Sequence, residues 1–199
     1  MRHGLRAVNT QAYGATMEAP SAKARLTRDD WILAGFRALV AGGRDGLRVE
    51  PVARALGATK GSFYWHFAGP ADWQAAMLAY WEEFAFVRIV QALEGLPAGE
   101  ARLRGVITLA TQTRDPSYGG IRGEPALRDW ARYDADVAAC VARVDAARVG
   151  WLMGELTAAG ADAGLARVFY AALLGLQAML VDEAGTVADL NALLAVMLV

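Results

Sequence analysis

Residues 57–67 read GATKGSFYWHF, and they follow a short helical pattern after an interruption of only two residues. Before them, apolar residues recur at the spacing of one helix face over about residues 49–56. Gly57 and Ala58 break that helix, and a second short helix is expected to begin at about Thr59. Two short helices joined by a tight, glycine-containing turn form the helix-turn-helix pattern.

A longer helix is predicted just before this motif. Thr27 is a suitable N-cap, and Asp30 stands three residues later, where the acidic partner of a capping box belongs. Leu26 and Trp31 occupy the two positions of a hydrophobic staple. From Trp31 onward, apolar residues recur on one helix face until glycines end the pattern at residues 42–46. The N-terminal part of the chain therefore predicts three helices in a row.

Helical periodicity also covers the rest of the chain, and no window has the alternation of a strand. A long helix is expected from about Pro70 to Val87. The further predicted helices cover about residues 100–114, 125–133, 135–159, 163–183 and 187–198. These patterns predict an all-α protein.

The composition is that of a globular chain, since 55% of its 199 residues are hydrophobic and 21% are charged. The single cysteine, Cys140, excludes a disulfide framework within one chain, and His3 and His66 are too few for a histidine-rich metal centre. The longest apolar run, 168–181, is shorter than the ~20 residues of a spanning helix, and the N-terminus has no signal-peptide core. We therefore expect a soluble, cytoplasmic protein without metal, cofactor or membrane partner.

The formal net charge of −1 hides an asymmetry along the chain. Residues 1–70 carry a net charge of +5, whereas residues 71–199 carry −6. A basic N-terminal part favours a polyanionic partner. Chance segregation of surface charge accounts for the asymmetry equally well, so charge alone does not decide between these two interpretations.

Over about Arg25 to Phe86, and most clearly in its YWHF tail at residues 64–67, the chain resembles the TetR family of bacterial transcriptional regulators. The resemblance implies an all-α fold, with an N-terminal three-helix helix-turn-helix DNA-binding domain and a C-terminal helical ligand-binding and dimerisation domain. It implies a homodimer that binds a palindromic double-stranded DNA operator, usually as a repressor, and releases it when a small molecule binds. The implied division is a flexible tail (1–24), a DNA-binding domain (25–85, with the helix-turn-helix at about 48–67) and a ligand-binding and dimerisation domain (86–199).

A recognition helix must present small and polar groups to base edges in the major groove. The candidate DNA-binding residues are Arg48, Thr59, Lys60, Gly61, Ser62, Tyr64, Trp65 and His66. Tyr64 and His66 match family positions that contact phosphates, and Gly61 allows a close backbone approach. For Trp65, stacking on the DNA backbone and packing on the first helix both stay open. Arg48 stands where many relatives carry a capping Ser or Thr, and the lysine that many relatives carry at the start of the fourth helix is absent.

In the C-terminal part, apolar residues cover nearly all sides of the predicted helix 163–183, and the chain ends in an apolar helix. This pattern favours a dimer interface formed by the last two helices, with packing inside one chain as the alternative. Any ligand pocket there favours a small apolar or aromatic effector. The candidate pocket residues are Trp81, Phe84, Arg104, Thr111, Trp130, Trp151, Phe169 and Gln177.

Two other function classes compete with a regulator. Asp134 and Asp136, near Trp130 and Tyr133, are the only cluster that invites an α-helical enzyme. Asp134 fits better as a helix cap, and no set of catalytic residues accompanies it, so we expect no enzyme. A helical adaptor or ligand-binding protein with weakened DNA binding is the other alternative, because one expected lysine is missing.

Overall fold

The computed structural model describes residues 25–112, 122–179 and 182–199, and the predicted tail 1–24 lies outside these ranges. Within them every regular element is helical, so the all-α prediction is confirmed for the described chain. The first five helices are α1 (Arg28–Gly42), α2 (Val49–Ala55), α3 (Lys60–Phe63), α4 (Pro70–Glu82) and α5 (Arg88–Leu93). The others are α6 (Glu100–Gln112), α7 (Gly123–Trp130), α8 (Ala135–Ala158), α9 (Ala166–Ala178) and α10 (Glu183–Met197).

The predicted capping box fixes the start of α1. The Thr27 hydroxyl oxygen accepts a hydrogen bond from the Asp30 amide at 3.2 Å, and the Asp30 carboxylate accepts one from the Thr27 amide at 2.7 Å. Hydrogen bonds that the Thr27 amide and hydroxyl donate to the Asp30 carboxylate lower its pKa. The carboxylate therefore stays ionised beside the positive end of the helix dipole.

The turn between α2 and α3 depends on Gly57. Gly57 has a φ of +63°, a left-handed conformation that favours glycine. The Ala58 amide donates to the Ala53 carbonyl at 2.8 Å, and the Gly57 amide donates to the Arg54 carbonyl at 3.0 Å. This is the Schellman pattern of hydrogen bonds, and it turns the chain from α2 into α3 within two residues.

A buried aromatic cluster holds α3 against α1 and α4. The Phe63 ring is fully buried and meets the ring of Trp31 at 5.5 Å and that of Trp73 at 5.6 Å, both edge to face. The Trp73 indole N–H donates to the Trp31 backbone carbonyl at 3.0 Å. Edge-to-face packing and this buried hydrogen bond fix where α3 sits on its two supporting helices.

The helix that begins at Pro70 continues past the end of α4 without a break, and residues 70–93 are called the long helix. A π-helical segment, Glu83–Val87, links α4 to α5, and the sequence pattern gave no sign of it. One buried core joins α1–α4 to α7 and to the N-terminal half of α8, and a second core joins α6, α8, α9 and α10. The domain boundary predicted after residue 85 falls inside the π-helical segment, and it stays a prediction.

The predicted limits of the last two helices are wrong. A 3₁₀ turn, Ala163–Leu165, precedes α9, and α9 ends at Ala178 rather than near 183. The last helix begins at Glu183, four residues before the predicted start, because the Asp182 carboxylate accepts from the Gly185 amide at 2.7 Å and acts as its N-cap. No helix in the described ranges is long and apolar enough to cross a bilayer.

The packing of α1 on α4 gives a testable prediction about Gly35. A Cβ on Gly35 would lie 2.5 Å from the Met77 sulfur and 2.7 Å from the Trp73 ring, whereas one on Gly42 in the same helix meets nothing within 4 Å. We expect Gly35→Ala to lower the free energy of unfolding by about 1–3 kcal/mol through overpacking. Gly42→Ala is the matched control and should leave stability unchanged or slightly higher in urea unfolding followed by circular dichroism. Equal stability of the two variants would contradict the close packing.

Candidate nucleic-acid interface and internal cavity

The exposed side of α3 carries most of the predicted interface residues. Thr59 is the N-cap of α3, and its hydroxyl accepts from the Ser62 amide at 3.2 Å. Lys60 and Gly61, at the first two helical positions, are exposed, and Ser62 is half-buried. The polar groups of the first turn therefore face outward, while Phe63 points into the aromatic cluster.

Lys60 is paired within the chain. Its ammonium group bonds to the Glu50 carboxylate on α2, and both side chains are more than half exposed. The hydrogen bond between them lowers the pKa of Glu50 and raises that of Lys60, so both groups are charged at neutral pH. The pair places a negative charge beside the predicted base-reading lysine, which the sequence analysis did not anticipate.

Gly61 is not required by the packing of the chain. A Cβ at this position would have only one neighbour within 4 Å, the Thr59 hydroxyl at 3.7 Å. Glycine inside a helix costs about 0.5–1 kcal/mol relative to alanine, so internal packing gives no reason for it here.

Beyond α3, the tail of the motif is divided between the surface and the core. Trp65 is 81% exposed, so it does not pack on α1, and Tyr64 is 50% exposed with its ring edge-on to Phe63 at 5.3 Å. His66 is half-buried next to the buried Phe67. Arg48 precedes α2 as its N-cap residue without a side-chain capping bond, and its side chain is exposed.

An internal cavity of about 110 Å³, with an opening to solvent, lies between the long helix, α6, α7, α8 and α9. Five of the predicted pocket residues line it: Trp81, Phe84, Trp151, Phe169 and Gln177. The cavity wall also includes the π-helical segment at Ala85 and Phe86, and a polar side formed by Glu124, Arg148 and Tyr170. The structure thus brings together most of the aromatic candidates and adds charged residues that the sequence analysis missed.

The other three predicted pocket residues lie elsewhere. Trp130 is buried in the core that also holds α1. The Arg104 guanidinium binds the Glu100 carboxylate and the Asn191 side chain. The Thr111 hydroxyl donates to carbonyls of its own helix.

A network of ion pairs forms the polar side of the cavity. Arg148 donates to the Glu124 carboxylate at 2.8 and 3.0 Å, to the Tyr170 hydroxyl at 2.8 Å, and through two N–H groups to the Ala85 carbonyl at 3.1 and 3.0 Å. Arg128 joins Glu124 to Asp145, and the Tyr170 hydroxyl donates to Asp145 at 2.7 Å. The network therefore ties α7, α8 and α9 to the π-helical segment of the long helix.

The network keeps its members in fixed ionisation states. Burial raises the pKa of Glu124, but Arg148 and Arg128 outweigh burial, so that the pKa lies below its ordinary value. Burial is also the first cause that raises the pKa of Tyr170, to about 12. At neutral pH, Glu124 is a carboxylate and Tyr170 is a neutral phenol.

One member of the acidic pair that invited an enzyme, Asp134, has a structural role. The Asp134 carboxylate accepts from the Asp136 and Val137 amides at 3.1 and 3.3 Å, so the prediction that Asp134 caps this helix is confirmed. Tyr133, its aromatic neighbour, is 69% exposed. Among the described residues, no three acidic, His or Cys side chains are grouped to hold a metal ion.

Solved structures share this fold. A Rhodococcus sp. protein assigned to the TetR family of transcriptional regulators aligns with a TM-score of 0.72 and 22% identity, over 86% of this chain and 98% of that one. A protein from Pseudomonas aeruginosa PAO1 assigned as a transcriptional regulator aligns with a TM-score of 0.68 and 18% identity, over 87% and 93%. A protein from Saccharomonospora viridis, also assigned as a transcriptional regulator, was solved in complex with choline. It aligns with a TM-score of 0.65 and 18% identity, over 83% of this chain and 93% of that one.

No protein-family model and no curated protein matches the sequence. The alignments with solved structures nevertheless confirm the predicted resemblance to the TetR family at the level of the fold, with an N-terminal helix-turn-helix followed by a helical C-terminal part.

Glu124 allows a test of the network. Glu124→Ala leaves two partly buried guanidinium groups, with side chains 16% and 26% exposed, without a shared carboxylate. We therefore expect a loss of about 2–4 kcal/mol in the free energy of unfolding, somewhat less than for a fully buried pair. Glu100→Ala, which breaks the exposed pair with Arg104, is the control and should cost less than about 1 kcal/mol. Similar losses in urea unfolding would show that the network is not buried as described.

Proposed function

We propose that this chain is a DNA-binding transcriptional regulator. It acts as a repressor that binds a palindromic operator as a homodimer, and it releases the operator when a small apolar or aromatic molecule enters the cavity. The observation that carries the proposal is the exposed surface formed by Lys60, Gly61, Tyr64 and Trp65 on a rigidly supported helix-turn-helix.

The surface chemistry of α3 supports contact with duplex DNA. Lys60 suits a guanine edge or a phosphate, and Gly61 leaves room for the DNA to approach the backbone. Tyr64, Trp65 and His66 follow directly and suit contacts with the sugar–phosphate backbone, which fix register without reading sequence. An indole that is 81% exposed is costly in water, and a partner surface accounts for its presence.

Exposed apolar side chains support a dimer through the last two helices. On α9 and α10, Val168 and Val196 are 56% and 75% exposed, and Met179, just after α9, is 73% exposed. Large apolar side chains exposed on consecutive elements are typical of an interface with another subunit. A two-fold axis through this surface would pair two recognition helices, as a palindromic operator requires.

The long helix supplies a physical link between cavity and DNA. Its N-terminal part, α4, carries Trp73, which contacts Phe63 of the recognition helix. Its π-helical segment forms part of the cavity wall at Ala85, whose carbonyl is held by Arg148. A ligand that displaces this wall therefore moves the helix on which the recognition helix rests.

One observation favours the second candidate, a helical ligand-binding protein with weakened DNA binding. The ion pair between Lys60 and Glu50 occupies the base-reading lysine and adds a negative charge to the interface.

The two functions are separated by fluorescence anisotropy of the full chain with duplex DNA from upstream of its own gene, beside a scrambled duplex. Tight, salt-dependent binding to the upstream duplex alone supports the regulator. Equal, weak binding to both duplexes supports the second candidate.

The Lys60–Glu50 pair predicts opposite effects of two substitutions on operator binding. Lys60→Ala should weaken binding roughly tenfold or more, because it removes a contact to a base or a phosphate. Glu50→Gln should strengthen binding, because it releases Lys60 and removes a charge that repels phosphate. Arg132→Ala, an exposed cation just after α7, is the control and should leave affinity unchanged in the same anisotropy assay. Loss of affinity in Glu50→Gln would contradict this role for the pair.

Gly61→Ala separates stability from DNA binding. The substitution should leave the free energy of unfolding unchanged or raise it by up to about 1 kcal/mol, since a Cβ has space and alanine is the better helix former. Operator affinity should fall roughly tenfold or more because the added methyl group blocks close approach. Unchanged affinity in anisotropy, with unchanged unfolding, would contradict the close approach at this position.

A further inference from the structure

Arg148 and Tyr170, on the polar side of the cavity, have no hydrogen-bond donor left for a ligand. Arg148 has five N–H donors, and it makes five hydrogen bonds to Glu124, Tyr170 and Ala85. The Tyr170 hydroxyl donates its one proton to Asp145 and accepts from Arg128 and Arg148. An anionic ligand that sought a charged partner here would have to break an existing ion pair.

The network is also balanced in charge. It contains two guanidinium groups, Arg128 and Arg148, and two carboxylates, Glu124 and Asp145, while Tyr170 is neutral. A charged ligand entering the cavity would be desolvated without a free counter-ion, and leaving a buried charge unpaired costs several kcal/mol. An uncharged ligand has no such cost.

Two of the aromatic rings that line the cavity already hold a cation on one face. The Arg148 guanidinium lies 5.9 Å from the centre of the Trp81 ring and 5.7 Å from that of Tyr170. Cation–π attraction at these two faces is therefore satisfied from within the chain. A quaternary ammonium ligand such as choline would find the faces occupied and would meet the positive charge of Arg148.

The rest of the cavity suits an apolar body with one polar group. Its volume of about 110 Å³ is of the same order as the roughly 150 Å³ of a cavity that holds benzene, and it opens to solvent, so a molecule of about one ring suits it. Most of the remaining wall is apolar, formed by side chains such as Phe86, Trp151 and Phe169. Gln177 also lines the cavity, and its carboxamide makes no hydrogen bond to another described residue.

We infer that the cavity is a binding site for an uncharged molecule of about one aromatic ring that carries a single hydrogen-bonding group, which Gln177 receives. The saturated Glu124–Arg148 pair is what excludes charged analogues. This inference rests on the proposed function only in its claim that the occupant is the effector.

The test uses three probes of one size that differ in charge: 4-fluorobenzyl alcohol, 4-fluorobenzoate and 4-fluorobenzylammonium. Fluorine NMR titrations of the full chain should show the alcohol binding at least about tenfold more tightly than either ion. Val106→Phe, which fills the cavity, should abolish binding of the alcohol, while Thr108→Phe, on the exposed face of the same helix, should not. Either ion binding as tightly as the alcohol, at the site that Val106→Phe blocks, would overturn the inference.

A change in the charge balance tests the role of the ion pair. Glu124→Gln keeps the shape of the wall but leaves one positive charge in excess, so the affinity for the benzoate relative to the alcohol should rise at least about tenfold. An unchanged ratio in a folded variant would overturn the role of the pair. If circular dichroism shows that the variant is unfolded, the relative affinities of the three probes for the unmodified chain decide whether the inference holds.

The two proposals fail separately. Specific binding to the upstream duplex, without binding of any of the three probes, would overturn the inference and leave the DNA-binding function standing. Preferential binding of the alcohol by a chain that binds no duplex would overturn the regulator and leave the inferred ligand class standing.

Discussion

The edge-to-face contacts of Phe63 with Trp31 and Trp73 are the interaction on which the arrangement of this molecule depends. The recognition helix has only four residues, Lys60–Phe63, and so short a helix has no stability of its own in water. Its orientation comes from one fully buried ring that two other helices hold. Because Phe63 points inward, Gly61, two residues earlier, faces outward, and Lys60 is exposed at the start of the helix.

The same cluster makes the long helix part of both halves of the chain. Trp73 near its N-terminal end supports the recognition helix, and Ala85 in its π-helical segment forms part of the cavity wall. The Ala85 carbonyl receives two hydrogen bonds from Arg148, which binds Glu124 and Tyr170 with its remaining donors. Segments of π-helix inside regular helices occur frequently at functional sites, and here the segment meets the partly buried ion pairs.

Features that depend on neighbours in sequence could be predicted. The capping box at Thr27, the turn at Gly57 and the cap at Asp134 each involve residues at most five positions apart, and their residue types carry the signal. The cap at Asp182 was missed because the apolar run before it concealed the break between the last two helices. The exposed residues of segment 59–66 were also predicted from the helix-turn-helix motif.

The cavity network could not be predicted, because it joins side chains from three helices. The spacing of Glu124 and Arg128 suggests a pair along one helix, but nothing in the sequence places Arg148 or Tyr170 beside them. Aromatic residues were recognised as cavity candidates by size alone, which also selected the core residue Trp130. Packing of helices that are distant in sequence decides which large side chain faces a cavity.

Hydrogen–deuterium exchange of the full chain, with and without duplex DNA from upstream of its own gene, tests most directly where the molecule meets DNA. The account predicts that DNA slows exchange of backbone amides within residues 48–67, where the first-turn amides of α3 lack helical partners. Slowed exchange confined to α8–α10, or tight binding without any slowing at 48–67, would contradict the assignment of this surface to DNA.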